Sequence, residues 1–163
     1  MAGKDKVVAK RTVRKKKEVK FDYDVYANIA SSARLQRVSL VSSDYDIKLP
    51  VISMYDQDDG QLNNMFGGEL EEFDFDPEFG SAIGTFTWKV DIKKGRTKAL
   101  KLKARYVLIY TGLTEKDEHH VQIYFRKVAK FTSYPYFRSL FASLSSDSGL
   151  ALKPLPSLVD RVD

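Results

Sequence analysis

Hydrophobic and polar positions along this chain change period several times, and each change marks an element. From Phe21 to Ser32, Val25, Tyr26 and Ile29 fall on one side of a short helix. From Arg34 to Lys48 the apolar residues alternate as in a strand. Leu35, Val38 and Leu40 and then Val41, Tyr45 and Ile47 fit a strand whose inward phase switches near Leu40, as a β-bulge would make it. Pro50 ends this strand. A second strand is predicted over Glu69 to Asp76, with Phe73 and Phe75 alternating against Glu72, Asp74 and Asp76. The third has Phe86, Trp88, Val90 and Ile92 facing one way and Thr85, Thr87, Lys89 and Asp91 the other. Lys93-Lys94-Gly95-Arg96 turns the chain into a fourth strand. There Leu100, Leu102, Ala104, Tyr106, Leu108 and Tyr110 oppose Lys101, Lys103 and Arg105, so the hairpin has one buried and one wet face.

Beyond Gly112 the period lengthens to that of a helix. Thr114 starts the first one, with Glu115, Asp117 and Glu118 in its opening turn, where carboxylates suit the helix dipole. Val121, Tyr124, Phe125 and Val128 are its apolar stripe. A second helix is predicted from Pro135 to Ser146, capped by Ser133 or Thr132, because proline suits a helix start. Phe137, Leu140, Phe141 and Leu144 recur at i, i+3, i+4 and i+7. Gly149 stops it. Leu150, Leu152, Leu155, Leu158 and Val159 follow, but Pro154 and Pro156 forbid a regular helix or an inner strand, so this segment must lie on other apolar surface. Strands grouped ahead of helices predict an α+β fold, a four-stranded antiparallel sheet with two C-terminal helices packed on one face.

One connection is unusual. Residues 50–68 are rich in Asp, Asn and Gly yet display Val51, Met54, Tyr55, Leu62, Met65 and Phe66, too apolar a set for an ordinary surface loop. Between Lys48 and Lys89 there is no Lys or Arg, while nine Asp or Glu are interspersed with Met and aromatic residues. Adaptable apolar side chains inside an acidic rim suit basic polypeptide partners.

Charge changes the picture at the N-terminus. The chain of 163 residues carries a formal +5, but residues 1–20 hold nine Lys or Arg against two acids, a net +7, leaving the remainder at −2. The high isoelectric point therefore belongs to a basic arm, read as a solvated, disordered tail ahead of a single domain over residues 21–163. With 43% apolar residues that domain can bury a core. There is no Cys, which removes disulfides and Cys-ligated metal sites, and neither a signal peptide nor an 18-residue apolar span is present, pointing to a cytoplasmic protein.

Catalytic chemistry finds little to work with. His119 and His120 are adjacent, about 100° apart on a helix, and cannot jointly chelate a metal; they read as a solvated, structural pair. The serines lack a G-x-S-x-G elbow. Asp56-Gln57-Asp58-Asp59-Gly60 fails the EF-hand register, with Gly60 at position 5 and Gly67 at position 12. No phosphate-binding glycine loop occurs. The expectation is a protein that is not an enzyme and that uses no cofactor and no metal.

The run from Ser133 to Val159 carries a resemblance. Tyr134-Pro135-Tyr136 with Arg138 two residues on, a helix ending Ser-x-Ser-Gly, and then Leu-x-Pro-Leu-Pro is similar to the C-terminal signature of the SecB-like protein-export chaperones. That resemblance implies an ATP-independent holdase, a homotetramer built as a dimer of dimers, with unfolded or partly folded polypeptides as clients. It implies client grooves lined by Val51, Met54, Tyr55, Leu62 and Met65 of the connection, Phe73 and Phe75 of the second strand, and Leu152, Leu155 and Leu158 of the proline-rich segment. It also implies an assembly face on the helix from Lys116 to Phe131, through Val121, Tyr124, Phe125 and Val128. Two departures stand out: Lys101, Lys103 and Arg105 occupy the sheet face where export members present acids for the SecA motor, and the chain stops at Asp163 without the further helix and acidic tail. These put delivery through SecA in doubt and leave two roles open, protein export and service to a dedicated client, as in SecB-like chaperones of antitoxins. The alternative is a nucleic-acid or anionic-surface binding module that uses Arg11 to Lys20 with the Lys101, Lys103, Arg105 face.

Overall fold

The computed structural model describes residues 21–48, 62–149 and 152–158. The basic arm, the candidates Val51, Met54 and Tyr55, the side chain of Leu62, and Val159 onward lie outside the described residues.

The elements run α1 (Tyr23–Ser32), β1 (Arg34–Ile47), β2 (Leu62–Asp76), β3 (Ser81–Lys94), β4 (Thr97–Thr111) and α2 (Glu118–Asp147). The strands form one antiparallel sheet in the order β1-β4-β3-β2, which makes β1 and β2 its two edges. The inner residues of the β3–β4 hairpin, from Trp88 and Val90 to Leu102 and Leu108, meet Val121, Phe125, Phe137 and Phe141 of α2 in the core. The α+β fold with helix on one face of the sheet is as the alternation predicts.

Two features differ from expectation, each for a physical reason. The connection after β1 ends sooner, because pairing against β3 from Leu62↔Lys94 to Gly68↔Trp88 makes strand of residues whose Asn and Gly content hides it. Gly68 serves the core, since a Cβ there would come 2.5 Å from Phe86 and 2.7 Å from Trp88. The two predicted C-terminal helices are one helix of 30 residues that runs through Pro135. An interior proline costs about 3 kcal/mol or more, and what offsets it is burial on both sides of it, Phe125 and Ala129 before and Phe137 and Phe141 after.

Thr132 and Ser133 are therefore pins in mid-helix and not caps. The Trp88 indole N–H donates to Ser133 Oγ at 2.8 Å, Ser133 Oγ donates back to the Ala129 carbonyl at 2.6 Å, and Thr132 Oγ1 lies 2.8 Å from Tyr110 Oη. The helix starts at Asp117, whose carboxylate accepts from the His120 N–H. That bond and the His120 ring hold the Asp117 carboxyl below the ordinary range, the side-chain contact being the larger cause. At the other end Ser148 caps and Gly149 takes a left-handed φ of 72° that favours glycine.

Candidate binding surfaces

The proline-rich segment crosses the outside of α2 as a strap. Leu155 anchors it: only 3% exposed, it is part of the core, so its predicted place in a groove is corrected, while Leu152 and Leu158 are half-buried against the core edge. The Tyr134 hydroxyl donates to the Pro156 carbonyl and ties the strap to the helix. Pro154 and Pro156 have no N–H and stay extended, which keeps the strap from closing down as helix. A groove of about 500 Å³ opens between strap and helix, walled by Phe131, Pro135, Ala142, Pro154 and Leu158, with Arg138 the charged residue among its lining.

The predicted assembly residues lie on the other side of the same helix. Val121 and Phe125 are fully buried and Tyr124 nearly so. Phe125 stands edge-on to Phe73 at 5.3 Å and to Tyr110 at 5.5 Å, and Tyr124 meets Tyr26 and Tyr110. Their i, i+3, i+4 stripe covers the sheet of their own chain and leaves no area for a partner; Val128 is half-buried beside them. Of the second-strand candidates, Phe73 and Phe75 are half-buried against the core, and Met65, 57% exposed, lies on the outer face of β2.

Exposed apolar residues sit in a turn and on the edge strand β1, where Leu35, Leu40 and Val41 are open and not inward as the alternation predicts. Leu35, Leu40 and Val41 are each close to half exposed, and Phe79 in the β2–β3 turn is 80% exposed. Both bulges of β1, at Leu35/Arg37 and Leu40/Ser42, bend this edge, and the second falls at the predicted phase switch. Edge strands are sites for pairing with another chain.

The outer sheet face is a different kind of surface. Lys101 pairs with Asp44 at 3.2 Å, Lys103 with Glu71 at 3.6 Å, Arg105 with Glu71 at 3.1 Å and with Glu72 at 3.8 Å, and Lys89 with Glu69. A bulge in β2 between Leu70 and Glu72 makes this possible, because the extra residue places Glu71 and Glu72 in succession toward the outer side. Glu71 reaches over fully buried Thr87 to the cations of β4. The Thr87 hydroxyl first, and then Lys103 and Arg105, hold its carboxyl below the ordinary range. The basic residues read as a phosphate-binding face are thus matched by carboxylates from both edge strands.

The histidines divide. His119 is exposed, but His120 is buried, contrary to the solvated reading of the pair; its Nδ1 lies 2.6 Å from Asp117 Oδ2 and its Nε2 accepts the Asp22 N–H at 3.1 Å. It joins the start of α2 to the start of α1. Among the described residues no group of three His, Cys, Asp or Glu comes together to hold a metal, and no described helix is long and apolar enough to cross a membrane.

No protein-family model matches this chain, and no curated protein matches it in sequence. Its structure is similar to that of the Rv1957 SecB-like chaperone of Mycobacterium tuberculosis, solved in complex with a ChAD peptide from the Rv1956 HigA1 antitoxin. The two share 17% identity with a TM-score of 0.68, over 85% of this chain and 99% of that one. A protein of unknown function from Streptococcus agalactiae aligns over 78% of this chain and 96% of its own at 9% identity and a TM-score of 0.33. The fold of this chain is the SecB-like fold.

Proposed function

We propose, from the SecB-like fold and the strap groove it carries, that this protein is an ATP-independent holdase for unfolded or aggregation-prone polypeptides. The observation that carries the reading is the alignment of nearly all of the mycobacterial chaperone onto this chain. The groove between α2 and the Pro154–Leu158 strap supports it, since it is apolar, preformed, and of a size that takes a few side chains of an extended peptide. The edge strands β1 and β2, which pair on one side only among the described residues, give such a peptide a second mode of attachment through main-chain hydrogen bonds. Holding an unfolded chain lowers its free concentration, and aggregation, which is of high order in that concentration, slows without any input of ATP.

The mycobacterial protein was solved with an antitoxin peptide, and a dedicated client of that kind is the form of the function we favour here. General export through SecA fits less well, because the outer sheet face is charge-matched and not a field of acids. In the same reading the protein works in the cytoplasm as a homotetramer, a dimer of dimers. Leu35, Leu40 and Val41 on the β1 edge offer the apolar area for that assembly that Val121, Tyr124 and Phe125 cannot.

The test is aggregation of a chemically unfolded client at moderate salt, without ATP, with the chaperone at defined stoichiometry. Suppression should be complete near equimolar protomer and should survive deletion of residues 1–20. Loss of suppression on that deletion, with retention on nucleic acid that collapses as salt rises, would replace the holdase by the anionic-surface binding module.

A further inference from the structure

The strap groove and the helix that forms it share one sign of charge. From His119 to Ser146 the chain contains no Asp or Glu, while Arg126, Lys127, Lys130 and Arg138 all lie on α2. Arg138 is half-buried in the lining of the groove and makes no ion pair with any described residue, in contrast to Lys101, Lys103 and Arg105 on the sheet. Its field is felt inside the groove, where it partly opposes the upward push that burial gives the Tyr134 hydroxyl. Pro135 has no N–H to offer the carbonyl four residues back, which is that of Phe131, and both residues line the groove. The remaining wall is apolar or hydroxylic: Ala142, Pro154, Leu158, Ser139 and Ser157.

This geometry points to a client segment of definite chemistry: an extended stretch within a polypeptide, with an apolar side chain in the groove and an Asp or Glu side chain one to three residues away on Arg138. A half-desolvated guanidinium with no carboxylate partner among the described residues gains most from a carboxylate, which it can take through two parallel N–H donors. A lysine at the same place would meet Arg138 and the stretch of the helix from His119 to Ser146 that has no acid, and like charges brought together in partly desolvated surroundings are rejected. The preference is the reverse of the one that the acidic residues between Lys48 and Lys89 suggest for the connection side. The inference rests on the chaperone reading and adds to it which clients that site accepts.

The experiment measures binding of the full-length protein to three fluorescein-labelled, C-terminally amidated octapeptides with the same Leu and Phe positions, carrying two Glu, two Gln or two Lys. The Glu peptide should bind at least about tenfold more tightly than the Lys peptide at 150 mM salt, with the Gln peptide between. Arg138→Gln should abolish that difference, and Arg138→Glu should invert it, with thermal unfolding midpoints unchanged in both. A preference that is absent in the wild type, or that persists in Arg138→Gln, overturns the inference. If the Gln peptide still binds and aggregation is still suppressed, the chaperone reading survives that failure. If no peptide binds and no client is held, both fall. Arg138 variants that change only the oligomeric state would assign the groove to a second copy, and tighter peptide binding after removal of residues 159–163 would assign it to the chain's own end; either result overturns the inference.

Discussion

Two surfaces of this molecule carry basic residues, and the chain treats them differently. On the outer sheet face Lys89, Lys101, Lys103 and Arg105 each meet a carboxylate brought over by β1 or β2. On the strap side of α2, Arg138 meets none among the described residues. A cross-strand charge ladder of the first kind fixes register and keeps a wide flat face soluble, but its charges are already occupied. A guanidinium on an apolar groove with no carboxylate partner among the described residues holds no such register and can take one from a ligand. Counting Lys and Arg in the sequence cannot separate the two; the difference lies in what each one faces.

The inner side of α2 gives that contrast its scale. Phe137 is fully buried and stacks on Trp88, with ring centroids 5.7 Å apart and planes 17° from parallel. Phe137→Ala should lower unfolding stability by about 3 to 5 kcal/mol, as large-to-small changes in cores do, in a urea titration where Arg138→Gln moves the midpoint little. Equal losses from the two substitutions would mean that the groove wall is core, and the distinction between the two faces of the helix would go.

A smaller effect is expected one turn earlier. Ser133→Ala removes the acceptor of the buried Trp88 indole N–H. The loss should be about 1 to 3 kcal/mol, and tryptophan fluorescence of the folded variant should shift as its hydrogen bond is lost. Because Ser133 adjoins Tyr134, which lines the groove and ties down the strap, peptide affinity should fall by less than about threefold if the pin serves the core alone. A fall of tenfold or more would join the two faces of the helix into one functional unit.

How much of this was legible beforehand follows from what each residue answers to. The β3–β4 hairpin obeys period 2 over many residues, with one face apolar, and its partners had to be where they are. The bulge near Leu40 was also readable, as a phase error in that period. The single long α2 was not, because Pro135 after Thr132 and Ser133 is a good start signal locally, and what overrides it is the sheet: the Trp88 indole N–H donates to the Ser133 hydroxyl, and the Tyr110 and Thr132 hydroxyls pair with each other. Leu62 to Gly68 looked like loop for a similar reason, since Gly68 is required by two rings that lie far off in sequence. Groove against core was the hardest distinction. Leu155 and Leu158 have the same chemistry and differ by three positions on a strap with no period, so only packing tells the buried one from the half-buried one.

The smallest expected change tests the first comparison most directly. Glu71 is the carboxylate that Lys103 and Arg105 share, and Glu71→Gln leaves both cations without it while Arg105 keeps only the longer contact to Glu72. Exposed pairs of this kind contribute about 0 to 1 kcal/mol, so the variant should fold. The wild-type contribution has a definite pH course. The Glu71 carboxyl is held low in the folded state, so its stabilisation is complete above the ordinary carboxylate range and is lost as pH falls through the depressed value. Stability curves of wild type and Glu71→Gln should therefore differ at neutral pH and converge in acid. Binding should move further than stability does. With the basic arm common to both proteins, retention on heparin at low salt should rise in Glu71→Gln and the gain should disappear as salt is raised, because the freed cations of β4 now act on phosphate or sulfate groups. If retention is the same in the two proteins, the carboxylates are not what keeps this face from binding polyanions, and the contrast between a sheet face with matched charges and a groove with an open one loses its electrostatic basis.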